Sequence, residues 1–226
     1  MDKATNLRIL AGGAMAAVWA DLKPQFERVS GHTLDIFFGT TPNLINEATS
    51  GKAFDAVIVP VAAARAKFAA GPTLDIARVG LGVAVRAGSP KPDIGSADAL
   101  KAALLKAASI ASIPESAAGY SIARAYERLG IGDRMMAKTK VQPAPAKIVK
   151  AVVAGDAELG IFLMNVLIAP GLDVVGPFPA ELQQEVVFTA ALAANPKEGG
   201  AAKALLAWLK TPEAGATIKA KGMTPV

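Results

Sequence analysis

Glycine and hydroxyl residues at the ends of two predicted strands carry the clearest chemical signal in this sequence. Gly12, Gly13 and Ala14 follow the first apolar run. Thr40 and Thr41 follow the second. In both places a helical pattern begins at once, so N–H groups of a helix N-terminus are left without helical partners. These groups and the positive end of the helix dipole attract negative charge. We therefore predict that these five residues contact an anionic ligand.

Each of these two turns also has an explanation that needs no ligand. The glycines at 12 and 13 suit a tight turn with positive φ. Thr41 suits the N-cap of the next helix, with Pro42 in the first helical turn. The sequence leaves both alternatives open, because an N-cap threonine is also able to contact a ligand.

A third loop enters a helix at the stretch ESAAGY, residues 115–120. We predict ligand contacts from Ser116, Ala118, Gly119 and Tyr120. Ser116 also suits a helix N-cap, and Tyr120 also suits a core aromatic residue with a satisfied hydroxyl. If the protein is an enzyme, Glu115 and Tyr120 are the weak catalytic candidates, since either is able to act as a base.

Other polar residues are weaker candidates. Asn165 follows a buried strand and is either a turn former or a ligand donor, and we include it among the ligand contacts. His32 lies in a helix-to-strand turn, where we expect a surface residue. Lys147 and Lys150 are expected on a solvated helix face, where one of them would be able to meet a ligand carboxylate. Three glutamates are also expected to be solvated on helix exteriors: Glu27, Glu47 and Glu127.

Composition excludes several kinds of chemistry. The 226-residue chain has no Cys and one His. Thiol catalysis, Cys-metal sites, His-based triads and multi-His metal sites are therefore excluded, and we expect no cofactor and no metal. The net charge is +5, but the Lys and Arg are scattered singly with few aromatics. This pattern does not favour nucleic-acid binding and is compatible with a small anionic ligand.

No apolar segment is long enough to predict a membrane span. The N-terminal residues lack the basic, apolar and cleavage regions of a signal peptide. We therefore expect a cytoplasmic location for the chain as it stands, and a periplasmic one if a signal peptide has been removed. We expect a monomer.

Strand and helix patterns alternate along the chain, which predicts an α/β fold with largely parallel sheets. Strands are predicted at Leu7–Ala11, Thr33–Phe38, Ala56–Val59, Ser109–Ala111, Leu159–Phe162, Val174–Val175 and Glu185–Ala193. Helices are predicted at Ala14–Val29, Pro42–Ser50, Ala97–Ala107, Ala117–Leu129, Ala144–Ala154, Gly199–Leu209 and Pro212–Lys221.

Two apolar stretches, Ile76–Arg86 and Glu185–Ala193, bracket the middle of the chain. The first is interrupted by glycines, as expected of a strand that leaves one sheet and enters another. We predict two lobes, with residues 1–80 and 191–226 in lobe 1 and residues 81–190 in lobe 2. In such a fold the ligand lies between the lobes, at the carboxyl ends of strands.

Six stretches in order resemble the type II periplasmic binding proteins, specifically the molybdate-binding group and its solute-binding relatives. They are LRILAGGAM, FGTTPNL, FDAVIVPVAA, IPESAAGYSIARAYERLGI, VVAGDAELGIFLMN and AKGMTP. The resemblance implies two Rossmann-like lobes joined by a two-strand hinge that close over a ligand. It also implies a solute-binding protein of an ABC transporter, with a permease as partner if the protein is exported.

Position by position, the resemblance favours a ligand other than molybdate. Gly13-Ala14 stands where molybdate-binding proteins carry a serine pair, and Leu163 stands where they carry a tyrosine. Thr40-Thr41 keeps its hydroxyls at the second serine position, and Ala118 matches a small residue of the family. Because two hydroxyl positions are lost while backbone donors remain, the resemblance implies a larger organic anion.

The stretch PGLDVVGPFPAELQ, residues 170–183, resembles a subgroup that includes proteins similar to aconitate isomerase. The alternative function is therefore an isomerase of an unsaturated carboxylic acid. Moving a double bond needs a base for the activated proton and donors for the developing charge. Whether the protein is a binding protein or such an isomerase stays open at this point.

Overall fold

The computed structural model describes residues 4–64, 68 and 73–226. The chain divides into two compact units. Unit 1 consists of Met1–Arg78 and Val187–Val226, and unit 2 of Val79–Val186. The two crossings therefore fall at 78/79 and 186/187, whereas the sequence prediction placed them at 80/81 and 190/191.

Unit 1 is built on a six-stranded sheet, as far as the chain is described, with helices that follow its strands. Its elements are β1 (Asn6–Gly12), a 3-10 turn (Gly13–Met15), α1 (Ala16–Ser30), β2 (Thr33–Gly39), α2 (Thr41–Ala48), β3 (Ala56–Pro60), α3 (Val61–Ala63), β4 (Thr73–Val79), β10 (Val186–Leu192), α9 (Gly199–Trp208), α10 (Pro212–Ala220) and β11 (Thr224–Pro225). β4 and β10 each extend one residue across the boundary of the unit.

The sheet of unit 1 is mixed, with strand order β11-β4-β10-β3-β1-β2. β1 pairs in parallel with β2 and β3, while β10 is antiparallel to β3 and β11 is antiparallel to β4. The prediction of a largely parallel sheet therefore holds for β1, β2 and β3 and is wrong for the pairs β10–β3 and β11–β4. Two strands that reach the sheet late in the chain enter it antiparallel, β10 to β3 and β11 to β4, instead of through a βαβ crossover.

The apolar spacing of α1 correctly predicted its buried face, because Val18, Trp19, Leu22 and Phe26 are all buried. His32 is buried as well, with 8% of its surface exposed, so the expectation of a surface histidine is wrong. Its ring lies 6.4 Å from the ring of Phe26, and its Nδ1 accepts a hydrogen bond from the N–H of Thr5 at 3.4 Å. The turn after α1 folds back onto Phe26, which the local sequence alone does not reveal.

Unit 2 contains a five-stranded sheet with order β7-β6-β8-β5-β9 in its described residues. Its elements are β5 (Leu81–Arg86), α4 (Ala97–Lys106), β6 (Ile110–Ser112), α5 (Ala117–Arg128), α6 (Gly132–Lys138), β7 (Thr139–Val141), α7 (Pro145–Ala154), β8 (Leu159–Leu163), α8 (Met164–Leu167) and β9 (Leu172–Pro177). β6 is parallel to β7 and β8, and β5 is antiparallel to β8 and β9. This sheet is mixed too. The prediction of parallel strands is correct for β6, β7 and β8 and wrong for the pairs that β5 forms with β8 and β9.

The predicted strand over Ile76–Arg86 forms two strands in two different sheets, which confirms that it leaves one sheet and enters another. Gly80 separates β4 from β5. The side-chain amide of Gln183 accepts a hydrogen bond from the Leu81 N–H at 2.7 Å and donates one to the Leu81 carbonyl at 2.9 Å. A Cβ on Gly80 would lie 3.0 Å from this amide, so glycine is what allows the close approach.

Five short elements of the described residues were not predicted: α3, α6, β7, α8 and β11. β7 has three residues and β11 has two, and both are too short to show an alternating pattern. The longer predicted strands and helices are all present, with ends that differ by a few residues.

Candidate functional site

In unit 1, the carboxyl ends of parallel strands bring the two predicted turns together. Gly12, the last residue of β1, is the register partner of Gly39, the last residue of β2. The segments that follow them, Gly13-Ala14 and Thr40-Thr41, therefore start side by side at one edge of the sheet. This edge is the usual position of ligand sites in α/β sheets.

The first turn does not need its glycine for positive φ. Gly12 has a φ of −59°, and neither Gly12 nor Gly13 is among the glycines with positive φ. The alternative explanation by a positive-φ turn is therefore wrong. Glycine at position 12 instead keeps the backbone close to Phe188, since a Cβ would lie 3.1 Å from the edge of that ring. Ala14 is buried, with 8% of its surface exposed.

The second turn starts α2 one residue earlier than predicted. Thr40 is the N-cap, Thr41 is the first helical residue, and Pro42 is the second. The Thr40 side chain makes no capping hydrogen bond. The N–H groups of Thr41 and Asn43 lie in the first turn, where the helix offers no acceptor for them. This helix N-terminus therefore has no side-chain cap. It presents two N–H donors, and the two threonines that carry its hydroxyls are half-buried.

In unit 2, three parallel strands again end at one edge of a sheet. β6 ends at Ser112, the register partner of Val141 at the end of β7, and β8 runs parallel to β6 on its other side. α5, α7 and α8 follow these three strands. Each unit thus has a set of helix N-termini at the carboxyl ends of its parallel strands.

The turn before α5 is closed by its own residues. The Ser116 hydroxyl accepts a hydrogen bond from the Gly119 N–H at 3.0 Å and donates one to the Ile113 carbonyl at 2.7 Å. Ser116 is thus the N-cap of α5, as the sequence suggested. A Cβ on Gly119 would come closer than 3.0 Å to the carbonyl oxygens of Ile113 and Pro114. The N–H groups of Ala117 and the buried Ala118 are the first-turn donors that remain at this terminus.

The two catalytic candidates are exposed and line one cavity. Glu115 is exposed, and Tyr120 has 64% of its surface exposed, so Tyr120 is not a core residue. Tyr126 is the buried tyrosine of α5, and burial raises the pKa of its phenol well above the usual range. All three residues line a cavity of about 410 Å³ in unit 2.

Asn165 lies in α8, directly after β8, and only 4% of its surface is exposed. Leu163, at the end of β8, is buried as well. The N–H of Met164 donates to the Gly80 carbonyl at 3.0 Å, which fixes the start of α8 against the segment between β4 and β5. Asn165 is therefore a buried polar residue on a short, well-anchored turn.

The N-terminus of α7 follows β7 at the same edge of the unit 2 sheet and was not among the predicted ligand contacts. Ala144 is its N-cap and makes no side-chain capping bond, and Pro145 is the first helical residue. Lys147 and Lys150 of α7 are both exposed, as predicted. A proline just inside a helix start, as at Pro42, was the available signal for this terminus.

Two of the glutamates expected to be solvated take part in ion pairs. Glu27 accepts hydrogen bonds from Lys23 at 2.8 Å and from the Leu34 N–H at 2.7 Å. The bond from Lys23, helped by the bond from Leu34, lowers the pKa of Glu27. Glu47 pairs with Arg8, and its side chain is 15% exposed. The expectation of a solvated side chain is therefore wrong for Glu47, whereas the Glu27 side chain is 26% exposed and Glu127 is exposed.

Two features of the described residues bear on the class of site. No group of three or more His, Cys, Asp or Glu is placed to hold a metal ion there. Within the same residues, no helix has both the length and the apolar character that crossing a membrane requires.

The sequence matches the family described as bacterial extracellular solute-binding proteins over residues 7–224. It is 34% identical over 235 residues to the aconitate isomerase of a Pseudomonas species, covering 98% of this chain and 88% of that protein. It is also 26% identical over 241 residues to the molybdate-binding protein ModA of Azotobacter vinelandii, covering 97% of this chain and 90% of that protein.

Solved structures show the same fold. The periplasmic molybdate-binding protein of Azotobacter vinelandii superposes with a TM-score of 0.77 at 20% identity, covering 96% of this chain and 98% of that one. The sulfate-binding protein SubI of Mycobacterium tuberculosis superposes with a TM-score of 0.77 at 19% identity, covering 98% and 87%. The fold is that of the periplasmic binding proteins, and the chain belongs to the bacterial extracellular solute-binding protein family.

Proposed function

We propose that this protein binds a small organic anion, and that the helix N-termini at the carboxyl ends of its parallel strands donate the hydrogen bonds. The pairing of Gly12 with Gly39 carries this proposal, because it places two helix starts side by side in unit 1. The start of α2 has no side-chain cap, so its N–H donors are available to a ligand. Relatives named for binding molybdate, tungstate and sulfate support an anionic ligand.

A carboxylate fits this frame better than a bare tetrahedral oxyanion. Gly13-Ala14 offers no hydroxyl and Leu163 offers none, so side-chain donors come from Thr40-Thr41 and from residues such as Asn165. A carboxylate needs fewer converging donors than an oxyanion enclosed on all sides, and backbone N–H groups suit it well. We propose further ligand contacts at five other residues: Gly12, Ser116, Ala118, Gly119 and Tyr120.

Isothermal titration of the purified chain tests the proposal, with molybdate, sulfate and di- and tricarboxylates as ligands. The chain offers a matched pair of N-cap threonines, both followed closely by proline. Thr211 accepts a capping bond from the Ala214 N–H at 3.3 Å, whereas Thr40 makes none. Thr40→Ala should lower carboxylate affinity about tenfold with little loss of stability. Thr211→Ala should lose about 1 kcal/mol of stability and keep the affinity.

Two results would contradict the proposal. One is the absence of heat with every anion while circular dichroism shows a folded protein. The other is an equal affinity in Thr40→Ala and the unaltered chain, which would remove the α2 terminus from the site. Tighter binding of molybdate than of any carboxylate would overturn the choice of an organic ligand.

A second candidate function is the isomerisation of an unsaturated carboxylic acid. It is favoured by the 34% identity to a protein named aconitate isomerase, which extends over 98% of this chain. A base would remove the proton next to the double bond, and a proton would return at the far end as the double bond moves. Glu115 and Tyr120 are the residues proposed for the base, and the helix N-termini would hold the carboxylates.

NMR of trans-aconitate mixed with the purified chain decides between the two functions. Appearance of the cis isomer, faster than without protein, would favour the isomerase, and an unchanged spectrum at saturating ligand would exclude it for this substrate. Glu115→Gln should abolish turnover if Glu115 is the base. Glu127→Gln is the matched control, since Glu127 is an exposed glutamate of α5 that does not line the cavity.

We also propose that the protein acts in the periplasm as a monomer and passes its ligand to an ABC permease. The family description supports this, because its members are extracellular solute-binding proteins. Fractionation of the source cells, followed by N-terminal sequencing of the native protein, tests the location. Recovery in the cytoplasmic fraction with an unprocessed N-terminus would contradict it and would favour the isomerase.

A further inference from the structure

Another cavity of unit 2 lies at the edge of the sheet opposite the helix N-termini, and its volume is about 660 Å³. Ser109 and Leu159 line it at the amino ends of the parallel strands β6 and β8, and Arg86 lines it at the carboxyl end of the antiparallel β5. Small-molecule pockets measure roughly 300 to 1,000 Å³. The cavity therefore has the size of a ligand site, and none of the ligand contacts proposed above line it.

Part of the lining is apolar and accessible. Two prolines of the loop between β5 and α4 contribute to it, since Pro90 is exposed and Pro92 is half-buried. Ala103 of α4 is half-buried, and Ala108 after this helix is exposed. Apolar surface gains free energy when a bound molecule removes it from water. This part of the lining suits a molecule with an apolar body.

The charged groups of the lining are mostly cationic. Arg86, Lys91 and Lys106 line the cavity together with a single carboxylate, Glu158. The Oε2 atom of Glu158 accepts a hydrogen bond from the Ala108 N–H at 2.7 Å, so this carboxylate is already engaged within the chain. Three cations against one carboxylate give the cavity a net positive charge, and a concave surface concentrates the field of its charges. The cavity therefore attracts anions.

Two of these cations are available to a ligand. Among the described residues, the side chains of Arg86 and Lys106 form neither an ion pair nor a hydrogen bond. Both residues are exposed. Lys91 differs from them, because its Nζ donates to the Val174 carbonyl at 2.9 Å. Binding an anion at Arg86 and Lys106 thus breaks no existing contact of these two side chains.

The helix ends in this cavity do not account for the two cations. Lys106 lies in the last turn of α4, where a cation is able to bond the free carbonyls. Lys138 takes that role instead, because its Nζ donates to three carbonyls at this helix end: those of Leu104, Leu105 and Ala107. At the end of α7, the Val152 carbonyl accepts a hydrogen bond from the Gly155 N–H at 3.1 Å, not from Arg86.

We propose that this cavity binds a small amphipathic anion, in which an anionic head group is joined to an apolar body. Arg86 and Lys106 attract the head group, and the apolar body lies against Pro90, Pro92 and Ala103. The site is separate from the anion-binding helix N-termini, because it lies at the other edge of the sheet. The proposal does not rest on the function proposed above, since the two sites share no residue.

Fluorescence titration of the full chain with 8-anilinonaphthalene-1-sulfonate tests the site, and saturable binding is expected. The neutral analogue N-phenyl-1-naphthylamine has the same aromatic body without the sulfonate and should bind about tenfold more weakly. Equal affinity for the two probes would overturn the need for a negative charge. The absence of saturable sulfonate binding would overturn the site itself.

Arg86→Gln and Lys106→Gln test the two cations. Each should weaken binding of the sulfonate about fivefold and change binding of the neutral probe by less than about twofold. Lys140→Gln is the matched control, because Lys140 is an exposed lysine of unit 2 that does not line the cavity. An equal loss of sulfonate affinity in Lys140→Gln and Lys106→Gln would show that only the net charge of the protein matters, which would overturn the site.

Ala103→Trp fills the cavity from α4 and should weaken binding of the sulfonate about tenfold or more. Ala102→Trp is the matched control, because Ala102 is the preceding residue, is exposed and does not line the cavity. The probe is excited directly, so that the new tryptophan does not affect the signal. Thermal unfolding verifies that each variant is folded, and the two exposed cations decide if Ala103→Trp does not fold. Equal binding in a folded Ala103→Trp and the unaltered chain would overturn the location.

Competition with carboxylates separates this site from the helix N-termini. Di- and tricarboxylates at saturating concentration should leave binding of the sulfonate unchanged. Displacement of the sulfonate that Thr41→Pro abolishes would assign the probe to the α2 terminus and would overturn the claim of a separate site. If isothermal titration shows that no carboxylate binds, the function proposed above fails, and the Arg86, Lys106 and Ala103 variants still decide this proposal.

Discussion

The starts of α2 in unit 1 and α5 in unit 2 occupy equivalent places, each after the carboxyl end of a parallel strand, yet they are completed differently. At α2, Thr40 makes no capping bond, and the first-turn donors are left to solvent or a ligand. At α5, Ser116 caps the helix, bonds the Ile113 carbonyl as well, and has Gly119 packed against the preceding backbone. The threonine hydroxyl at the first terminus is therefore not used for capping, whereas the serine hydroxyl at the second terminus is bonded twice within the chain.

This difference assigns different tasks to residues of similar type. Hydroxyl residues precede both helices, and small residues surround both turns. At α2 these residues leave donors unpaired, which favours ligand binding over stability. At α5 they build a rigid turn, which stabilises unit 2 and uses the Ser116 hydroxyl and the Gly119 N–H within the chain. The comparison predicts that substitutions in the α5 turn reduce stability, whereas those in the α2 turn reduce affinity.

The largest expected effect is on stability at the α5 turn. Gly119→Ala places a Cβ against two backbone carbonyl oxygens that cannot move without distorting the turn. We expect a loss of about 3 kcal/mol, measured by urea unfolding. Gly12→Ala, the matched substitution in unit 1, meets the edge of the Phe188 ring at 3.1 Å and should lose less than about 1 kcal/mol. A larger loss of stability in Gly12→Ala than in Gly119→Ala would contradict the view that the α5 turn is the more rigid of the two.

The next largest effect is expected on anion affinity. A proline at the first position of α2 or of α5 removes one backbone N–H donor from that helix start. Proline is tolerated there, and the N-cap residues Thr40 and Ser116 already have the extended backbone that it requires. Thr41→Pro should weaken carboxylate binding about tenfold or more, since it removes a donor to a charged group. Ala117→Pro should weaken it by less than about threefold. Isothermal titration measures the carboxylate affinity of both variants. A greater loss of affinity in Ala117→Pro than in Thr41→Pro would place the stronger anion contacts in unit 2.

A smaller effect, a gain in stability and not a loss, is expected from a substitution within α5. The buried Tyr126 hydroxyl has no partner in the described part of the chain. Tyr126→Phe removes this unsatisfied group and should raise the stability of the protein without ligand by about 1 kcal/mol. Urea unfolding at neutral pH measures the change. A loss of stability would mean that the hydroxyl is paired in solution.

The smallest effect concerns the junction of α1 and β2 in unit 1. Glu27 joins Lys23 of α1 to the Leu34 N–H of β2, and Lys23 also donates to the Leu34 carbonyl. Glu27→Gln should lose up to about 1 kcal/mol at pH 7.

The pH dependence of this loss follows from the lowered pKa of Glu27. The contribution of the charged carboxylate is complete above the pKa of the unfolded chain, about 4.3. It disappears as the pH falls through the lower pKa of the folded protein. Unfolding of both proteins from pH 7 to acid pH should therefore show curves that converge. A constant difference would mean that the charge of Glu27 does not contribute.

The sequence alone determined the main elements and the role of the crossing strands. Apolar runs and helical spacing located the longer strands and helices, because burial of one face imposes a period of two or 3.6 residues. The interruption at Gly80 correctly indicated a strand shared between two sheets. The turns at Gly12 and Thr40 were found because a strand that ends in small residues before a helix is a local pattern.

Only the tertiary structure decided what those turns do. The pairing of Gly12 with Gly39, the antiparallel entry of β10, and the burial of His32 against Phe26 join residues that are distant in sequence or depend on how the chain folds back. The contrast between Thr40 and Ser116 is equally invisible in sequence, since both are hydroxyl residues at a helix start. Whether such a hydroxyl bonds its own turn depends on side-chain geometry and on the neighbouring backbone, which local residue patterns do not encode.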